Sequence, residues 1–460
     1  MFRFYYQRID KGLSLFFCLS GSWHHFLDRY LFHTNLMNMI RNCLLLAMIL
    51  LPGVSLFAQQ DTLSAACKSK SVKNFSKVIG WNTGEMPKAP EGFTVNKFAD
   101  GLENPRKIYV LPNGDILVAE AATITTEVMK LGADVMGAGK SENKHPSVNR
   151  ITLLRDTNGD GVADVHETYI EGLNQPFGML LLGDWLYIAN TNSLLRYQYK
   201  SGEKKMTAKP EKIMDLQAGK HNRHWTRNLL ASQDGQKILI GVGSGTNVAE
   251  KGMGNEIMRA NILEINRDGS GLKIYASGTR NPVGMAWAPE THTLWAAVNE
   301  RDELGDHLVP DYFTSIKPGG FYGWPDSYWG QHIDDRIKDT RTDLVSKAIV
   351  PDMSLGNHVA PLGMIFYTGK GFSSRYHNGA FIAEHGSWNS TVLQGYKVVF
   401  IPFTDGKPAG KPEDFLTGFI ADLDKNKVHG RPVDIAMLAD GSILVSDDVT
   451  NTIWRVKANK

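Results

Sequence analysis

Cysteine is almost missing from this chain. It has three, Cys18, Cys43 and Cys67, and two of them lie close to the N-terminus. Once that N-terminal stretch is set aside, Cys67 stands alone, so no intramolecular disulfide is available and no CxxC pair offers a thiolate metal site. A lipid anchor on Cys67 is disfavoured, because Ser64-Ala65-Ala66 lacks the large apolar residue such a signal carries; it reads as a plain cysteine in a lead-in. An excess of one charge is missing too: 50 Lys+Arg stand against 48 Asp+Glu. Near-cancellation advertises no polyanion-binding surface, which excludes nucleic acid as the natural partner. Long apolar runs are also lacking. The best, CLLLAMILLPGVSLF, is broken by Pro52 and Gly53 and is too short for a confident membrane span.

That run has another reading. Met39 opens MIRN, the apolar stretch follows, and Ala58 precedes Gln59-Gln60. A short basic region, an apolar core and a small residue at the cut describe a signal peptide, predicting an exported, periplasmic or extracellular protein with no stable membrane insertion after cleavage. The expected organisation is therefore 1–38 ahead of the true start, 39–58 signal, 59–91 lead-in and 92–460 a single folded domain.

What the sequence has in quantity is glycine (45) and tryptophan (10), together with a repeated phrase. PRKIYVLPNGDILVAE starts at Pro105, PFGMLLLGDWLYIAN at Pro176 and TRNLLASQDGQKILIGVG at Thr226. PVGMAWAPETHTLWAAV follows at Pro282, PLGMIFYTGKGFSSRYHNGAFIAE at Pro361 and PVDIAMLADGSILVSDD at Pro432. Each is an apolar strand, a Gly/Asp turn and a second apolar strand, and self-similarity at long period means one supersecondary unit copied many times. Further β-like runs follow, such as NRITLLRD and HETYIEGL in the first unit, giving four strands per unit. The fold class predicted is all-β: a six-bladed β-propeller with four-stranded blades. The last unit ends early, with only TIWRV after ILVSDD, so the strand it lacks is expected from GFTVNKFADGL at Gly92, closing the ring and removing a sheet edge. Insertions at Ala121–Pro146 and Asn299–Pro351 are the long loops where function tends to sit.

Several motifs carry chemistry. Asp156, Asn158, Asp160, Val162, Asp164 and Glu167 occupy the ligand positions of a twelve-residue calcium loop, with Gly161 at the sixth. Its flanks are strand-like, so it is predicted as a structural calcium hairpin, with a polar Asx-rich turn as the plain alternative. His221-Asn-Arg223-His224-Trp225-Thr-Arg227 opens the third unit and sets imidazoles beside guanidiniums. Arg280-Asn281-Pro282 opens the fourth, Glu384-His385-Gly-Ser387-Trp388 follows the fifth and Gly430-Arg431-Pro432 opens the sixth. Cations at equivalent starts would converge on the axis, and converging charge of one sign calls for a multiply anionic guest. Gly319-Gly-Phe321-Tyr322-Gly-Trp324-Pro325 offers rings that could floor a planar cofactor, or simple turn packing.

With these in view, GTRNPVGMAW, VNERDELGDHL, GGFYGWP, EHGSWN and GRPVDIAMLADGSILVSDD resemble the glucose/sorbosone dehydrogenase family, over roughly Gly92 to Val456. The family resemblance implies a six-bladed propeller using pyrroloquinoline quinone (PQQ) and Ca2+. It implies His224 as general base on a sugar hydroxyl, Arg280 and Asn281 holding the quinone and stabilising its charge, and Arg431 on a cofactor carboxylate. His385 and Trp388 fall where a cofactor contact is expected, Gln175 loosely matches a substrate-binding glutamine, and a cofactor-bridging calcium would use the loop of Arg301 and Asp302. The chain departs from the glucose branch at Ser244, where an aspartate is usual, at His385-Gly-Ser387-Trp388, where a lysine is usual, and at Val433 in place of a second arginine; it resembles the sorbosone branch more. The expected activity is oxidation of an aldose or sugar aldehyde, passing electrons to an external acceptor. Two other readings stand beside it: a calcium-dependent lactonase-like hydrolase built on Glu120, Asn190, Asn281, Asn299, Glu300 and Glu384, and a non-catalytic propeller binding glycans or proteins.

Overall fold

The computed structural model describes residues 63, 70–124, 138–141 and 146–459. The expected signal segment, the stretch before it and all three cysteines lie outside the described residues.

The second strand of each repeat reads as an unbroken apolar run because both its faces are covered. Ile116–Glu120, Ala380–Glu384 and Ile443–Asp447 are buried at every position, whereas the outer strand Glu211–Asp215 is largely exposed. Continuous rather than alternating hydrophobicity is what burial on two faces demands. The turns between first and second strands are equally local. Leu182 pairs with Trp185 across two residues, and Gly183 takes φ 58°, the left-handed backbone that a tight hairpin needs at its first position.

These hairpins extend into six four-stranded antiparallel sheets among the described residues. Their first strands are Pro105–Val110, Met179–Leu182, Arg227–Ala231, Asn281–Trp287, Pro361–Phe366 and Pro432–Met437. Each first strand touches the next, and Pro432–Met437 touches Pro105–Val110, so the architecture is all-β and propeller-like. In the final sheet Phe93–Ala99 pairs antiparallel with Thr452–Ala458, Val95 opposite Val456.

Neighbouring first strands approach so closely that three repeats need glycine there. A Cβ on Gly178 would lie 2.4 Å from the Arg227 carbonyl oxygen, one on Gly284 2.5 Å from that of Leu362, and one on Gly363 2.1 Å from Asp434 Oδ1. The sixth repeat carries Asp434 at the matching place, where its carboxylate accepts from Ile108 N at 2.8 Å and Lys107 Nζ at 3.0 Å. Register shifts at Pro105/Ile108, Pro282/Gly284, Pro361/Met364 and Pro432/Ile435 repeat a bulge at the start of four first strands. Bulges re-aim the side chains beside them. Two of the shifts lie just after Arg280-Asn281 and Arg431, in the strands those residues open.

The lead-in is not a loose tether from Lys70 onward. Lys77–Val78 pairs in parallel with Lys427–Val428, and Trp81 stacks on His429 with ring centroids 4.6 Å apart while donating to Asp447 Oδ2 at 3.1 Å. No helix among the described residues is long and apolar enough to cross a membrane.

Candidate active site

A cavity of about 640 Å³ opens where the first strands begin. It is lined by residues from far-apart repeats, among them His224, Arg280, Asn281, His385, Trp388 and Arg431. Its base is apolar: Ala121, Phe177, Trp225, Val283, Leu362 and Val433 pack together. Val433, aligned with a second family arginine, is therefore part of this plug and contributes no charge.

His224 is held by one ring nitrogen. Nδ1 lies 3.1 Å from the Ser244 carbonyl oxygen and 2.9 Å from Ser244 Oγ, whose own hydrogen goes to Thr246 O at 2.7 Å. A carbonyl only accepts, so Nδ1 carries the hydrogen and Nε2 is the basic nitrogen left for the cavity. Burial, then the positive charges of Arg280 and Arg223, pushes the imidazole well below its ordinary value of 6.5, against the Ser244 bond that favours protonation. His224 is thus neutral at physiological pH. Ser244 does here, with a backbone oxygen, the orienting that an aspartate would do elsewhere.

Arg280 is buried and fully engaged. Its guanidinium donates to Glu300 O (2.6 Å), Asn247 Oδ1 (2.8 Å) and Asp302 Oδ2 (2.9 Å), which fixes it at the cavity edge. Asn281 gives Nδ2 to Asn299 Oδ1 at 3.0 Å, while its buried Oδ1 has no hydrogen-bond partner among the described residues. Arg431 is held by carbonyls alone, His385 O at 3.0 Å, Gly386 O at 2.9 Å and Ser141 O at 3.2 Å. His385 Nε2 sits 3.0 Å from Asp448 Oδ1; burial and Arg431 lower the imidazole to about 4 despite that carboxylate. Burial opposes charge on Asp448, but His385 and Arg106 outweigh it and hold the carboxyl well below its usual range. Arg106, which donates to Asp448, also lines the cavity, as do Lys73, Phe75 and Arg223. Burial raises Asp311, another lining residue, to about 7, although Glu300 N and Ala360 N both donate to it.

Several predicted residues are elsewhere. Gln175 does not line the cavity: its Nε2 donates to Ala122 O at 2.9 Å, which turns the side chain into the loop rather than toward a substrate. The Phe321-to-Pro325 run does not floor it either, since Phe321 packs on Gly278 and Trp324 Nε1 donates to Asn247 O at 2.9 Å, bracing the residue that grips Arg280.

The acidic loop differs from its motif. Asp156 Oδ1 accepts from Gly159 N (2.8 Å) and Oδ2 from Gly161 N (2.9 Å); Asn158 Oδ1 accepts from Asp160 N, and Asp160 Oδ1 from Val162 N. Asp164 is taken by Thr157, and Glu167 is exposed on the strand Val165–Ile170. Among the described residues no three His, Cys, Asp or Glu side chains form a metal-holding group. Oxygens turned onto their own backbone amides make this an Asx-turn hairpin tip. Arg301 and Asp302 fare likewise. The Arg301 side chain is buried against Glu300 and Asp334, the Glu300 carbonyl accepts from Arg280, and the Asp302 carbonyl accepts from Asn247 (3.0 Å) and Arg336 (3.0 Å). The Glu300 and Asp302 carbonyls are thus occupied by arginine donors that a calcium ion would have to displace. Of the six residues of the hydrolase reading, Asn281, Asn299 and Glu300 line the cavity, whereas Glu120 is held by Arg150 and Thr152, and Asn190 by Asn174 N and Ser193.

A flat, multiply anionic quinone does suit the cavity. Arg280, Arg431, Arg223, Arg106 and Lys73 line it, beside the carboxylates of Glu300, Asp302, Glu303, Asp311 and Asp448.

The TrAA12-like family matches residues 87–311 and 326–459. An uncharacterised protein of Borreliella burgdorferi is 29% identical over 384 residues, 81% of this chain and 91% of that protein. The pyrroloquinoline quinone-dependent pyranose dehydrogenase of Coprinopsis cinerea is 26% identical over 198 residues, covering 39% of this chain and only 25% of that enzyme. The holo PQQ domain of the Coprinopsis cinerea pyranose dehydrogenase shares the fold, with a TM-score of 0.65 at 19% identity over 83% of this chain and 100% of the domain. Family membership is settled by the first of these matches: the chain belongs to the TrAA12-like family.

Proposed function

We propose that this TrAA12-like protein is an exported quinoprotein oxidoreductase that oxidises a small sugar, an aldose or sugar aldehyde, with PQQ bound in the cavity and an external acceptor taking the electrons. Support comes from relatives that are PQQ-dependent dehydrogenases and from one observation above all. His224, held as a neutral base by Ser244, shares a single cavity with Arg280, Asn281 and Arg431. In the same reading the six sheets are six blades, and Phe93–Ala99 supplies the strand the last repeat lacks, closing the ring.

PQQ, when bound, supplies the two-electron acceptor. The chain's own residues do the rest. Arg280 and Arg431 set fixed positive charge beside the cavity for anionic groups, and both are prevented from moving by the carbonyls that accept from them. Oxidation of a C–OH group releases a proton from oxygen, and His224 Nε2 is the lone pair in the cavity fit to take it. Nδ1–H bonded to Ser244 O keeps the ring in the tautomer that leaves Nε2 free. Trp225 and Phe177 exclude water beneath the site. No step is assigned to calcium.

The test is an assay of the purified chain with added PQQ, with and without calcium, following reduction of an artificial acceptor across a panel of aldoses. Sugar-dependent reduction that needs the quinone supports the reading. A chain that binds the quinone yet reduces no acceptor with any sugar overturns it.

A further inference from the structure

Positive charge around the cavity is mostly committed. Arg106 is paired with Asp448, Arg280 with Asp302, and Arg223 lies 3.6 Å from the same Asp302 carboxylate. Arg431 has its three nitrogens on carbonyls. Lys73 is different. It lines the cavity and has neither a carboxylate nor a carbonyl partner among the described residues.

Its backbone, however, is anchored on both sides. Asn389 bonds the Ser71 hydroxyl at 2.8 Å and, with its amide turned to satisfy its neighbours, the Val72 carbonyl at 2.9 Å. On the other side Asn74 N donates to Trp388 O at 2.8 Å, Asn74 Nδ2 donates to Thr391 O at 3.0 Å, and the Phe75 ring lies parallel to Trp388 with centroids 5.7 Å apart. A segment fixed on the loop 387–391 therefore places Lys73, solvent-exposed and uncommitted among the described residues, at a cavity lined by four arginines and by Glu300, Asp302, Glu303, Asp311 and Asp448. With those arginines paired or bonded to carbonyls, this ammonium is free to meet an anionic group of a ligand.

We infer that Lys73, carried by the N-terminal strap of residues 71–75, binds an anionic group of the ligand in this cavity and makes the strap part of the binding site. The inference rests on the quinone reading above.

The experiment is equilibrium titration of PQQ into the full chain, followed by quenching of protein fluorescence, for the parent, Lys73→Ala, Lys73→Gln and Lys73→Arg. PQQ trimethyl ester, which lacks the negative charges, is the second probe. Expected are about tenfold weaker PQQ binding in Lys73→Ala and Lys73→Gln, recovery in Lys73→Arg, little change for the ester, and melting temperatures equal to the parent's. Unchanged PQQ affinity in Lys73→Ala, or an equal loss for the ester, overturns the role of Lys73 and leaves the quinone reading intact. A parent chain that takes up no PQQ overturns both.

Discussion

Two regions of this molecule crowd oxygen atoms together, and they do so in opposite ways. In the hairpin tip at 156–167 the carboxylates sit in solvent, and Asp156, Asp160 and Asp164 each accept from neighbours a few residues away. Around the cavity the polar atoms are buried and come from across the chain; Asn281 Oδ1, Glu300 Oε1 and Glu384 Oε2 have no hydrogen-bond partner among the described residues. A locally satisfied turn needs nothing more. Buried atoms left without partners cost free energy, about 1–3 kcal/mol each, unless a ligand completes them. The contrast teaches where to look for binding: at unfinished buried polarity, rather than at the densest acidic motif.

The largest effect that sharpens this contrast is at the cavity. His224→Ala should lower turnover by roughly 10²–10⁴-fold while the fold persists, as expected for loss of a general base and checked by steady-state kinetics beside circular dichroism. Because the imidazole is depressed below 6.5, the basic form survives into mildly acidic solution. The acid limb of kcat/KM should accordingly fall below pH 6.5; a limb above that value would show His224 exposed to solvent and unlike the rest of the cavity.

A smaller effect is expected at Glu384, one residue before His385. Burial raises its carboxyl to about 8 from 4.5, with Lys397 opposing. The folded state therefore holds this proton more tightly than the unfolded state does, and stability falls as pH rises from about 4.5 through 8. Glu384→Gln removes that dependence. Its melting temperature should gain on the parent's across this window, by no more than the equivalent of ~1.4 kcal/mol per pH unit. Parallel melting curves would mean that Glu384 is ionised and partnered.

The smallest effect belongs to the hairpin tip. Asp156→Ala loses two bonds to backbone amides and should cost about 1 kcal/mol of stability in denaturant melts, with kcat unchanged. A calcium-dependent rise in melting temperature, abolished by Asp160→Asn, would break the comparison by showing that the tip closes on an ion.

The repeats were legible because hairpins are local: Gly183 and the apolar second strands write the same instruction six times, and the short last repeat points to Phe93–Ala99 as its missing strand. His224, Arg280, Asn281 and Arg431 stand at the starts of first strands and His385 at the end of a second strand, two points of the repeat that the sequence marks and that meet at the cavity. Lys73 and Phe75 carry no such mark. They reach the cavity through contacts with residues 388–391, more than three hundred positions away, and no spacing in the lead-in encodes that. Arg106 had a signal that was open to use, its place at the start of the first repeat. Gln175 and the hairpin tip mark the limit of a motif, which gives residue types only. Whether an amide or carboxylate faces a ligand or its own backbone depends on a few torsions the pattern does not specify.

The pairing of Phe93–Ala99 with Thr452–Ala458 has a consequence for how the molecule comes into being. That sheet cannot assemble until Thr452–Ala458 has left the ribosome, so Phe93–Ala99 waits through the synthesis of more than three hundred residues for its partner. Removing Thr452–Ala458 should therefore leave Phe93–Ala99 and Ile443–Asp447 without the neighbour that lies between them, and damage the product far more than clipping an ordinary tail.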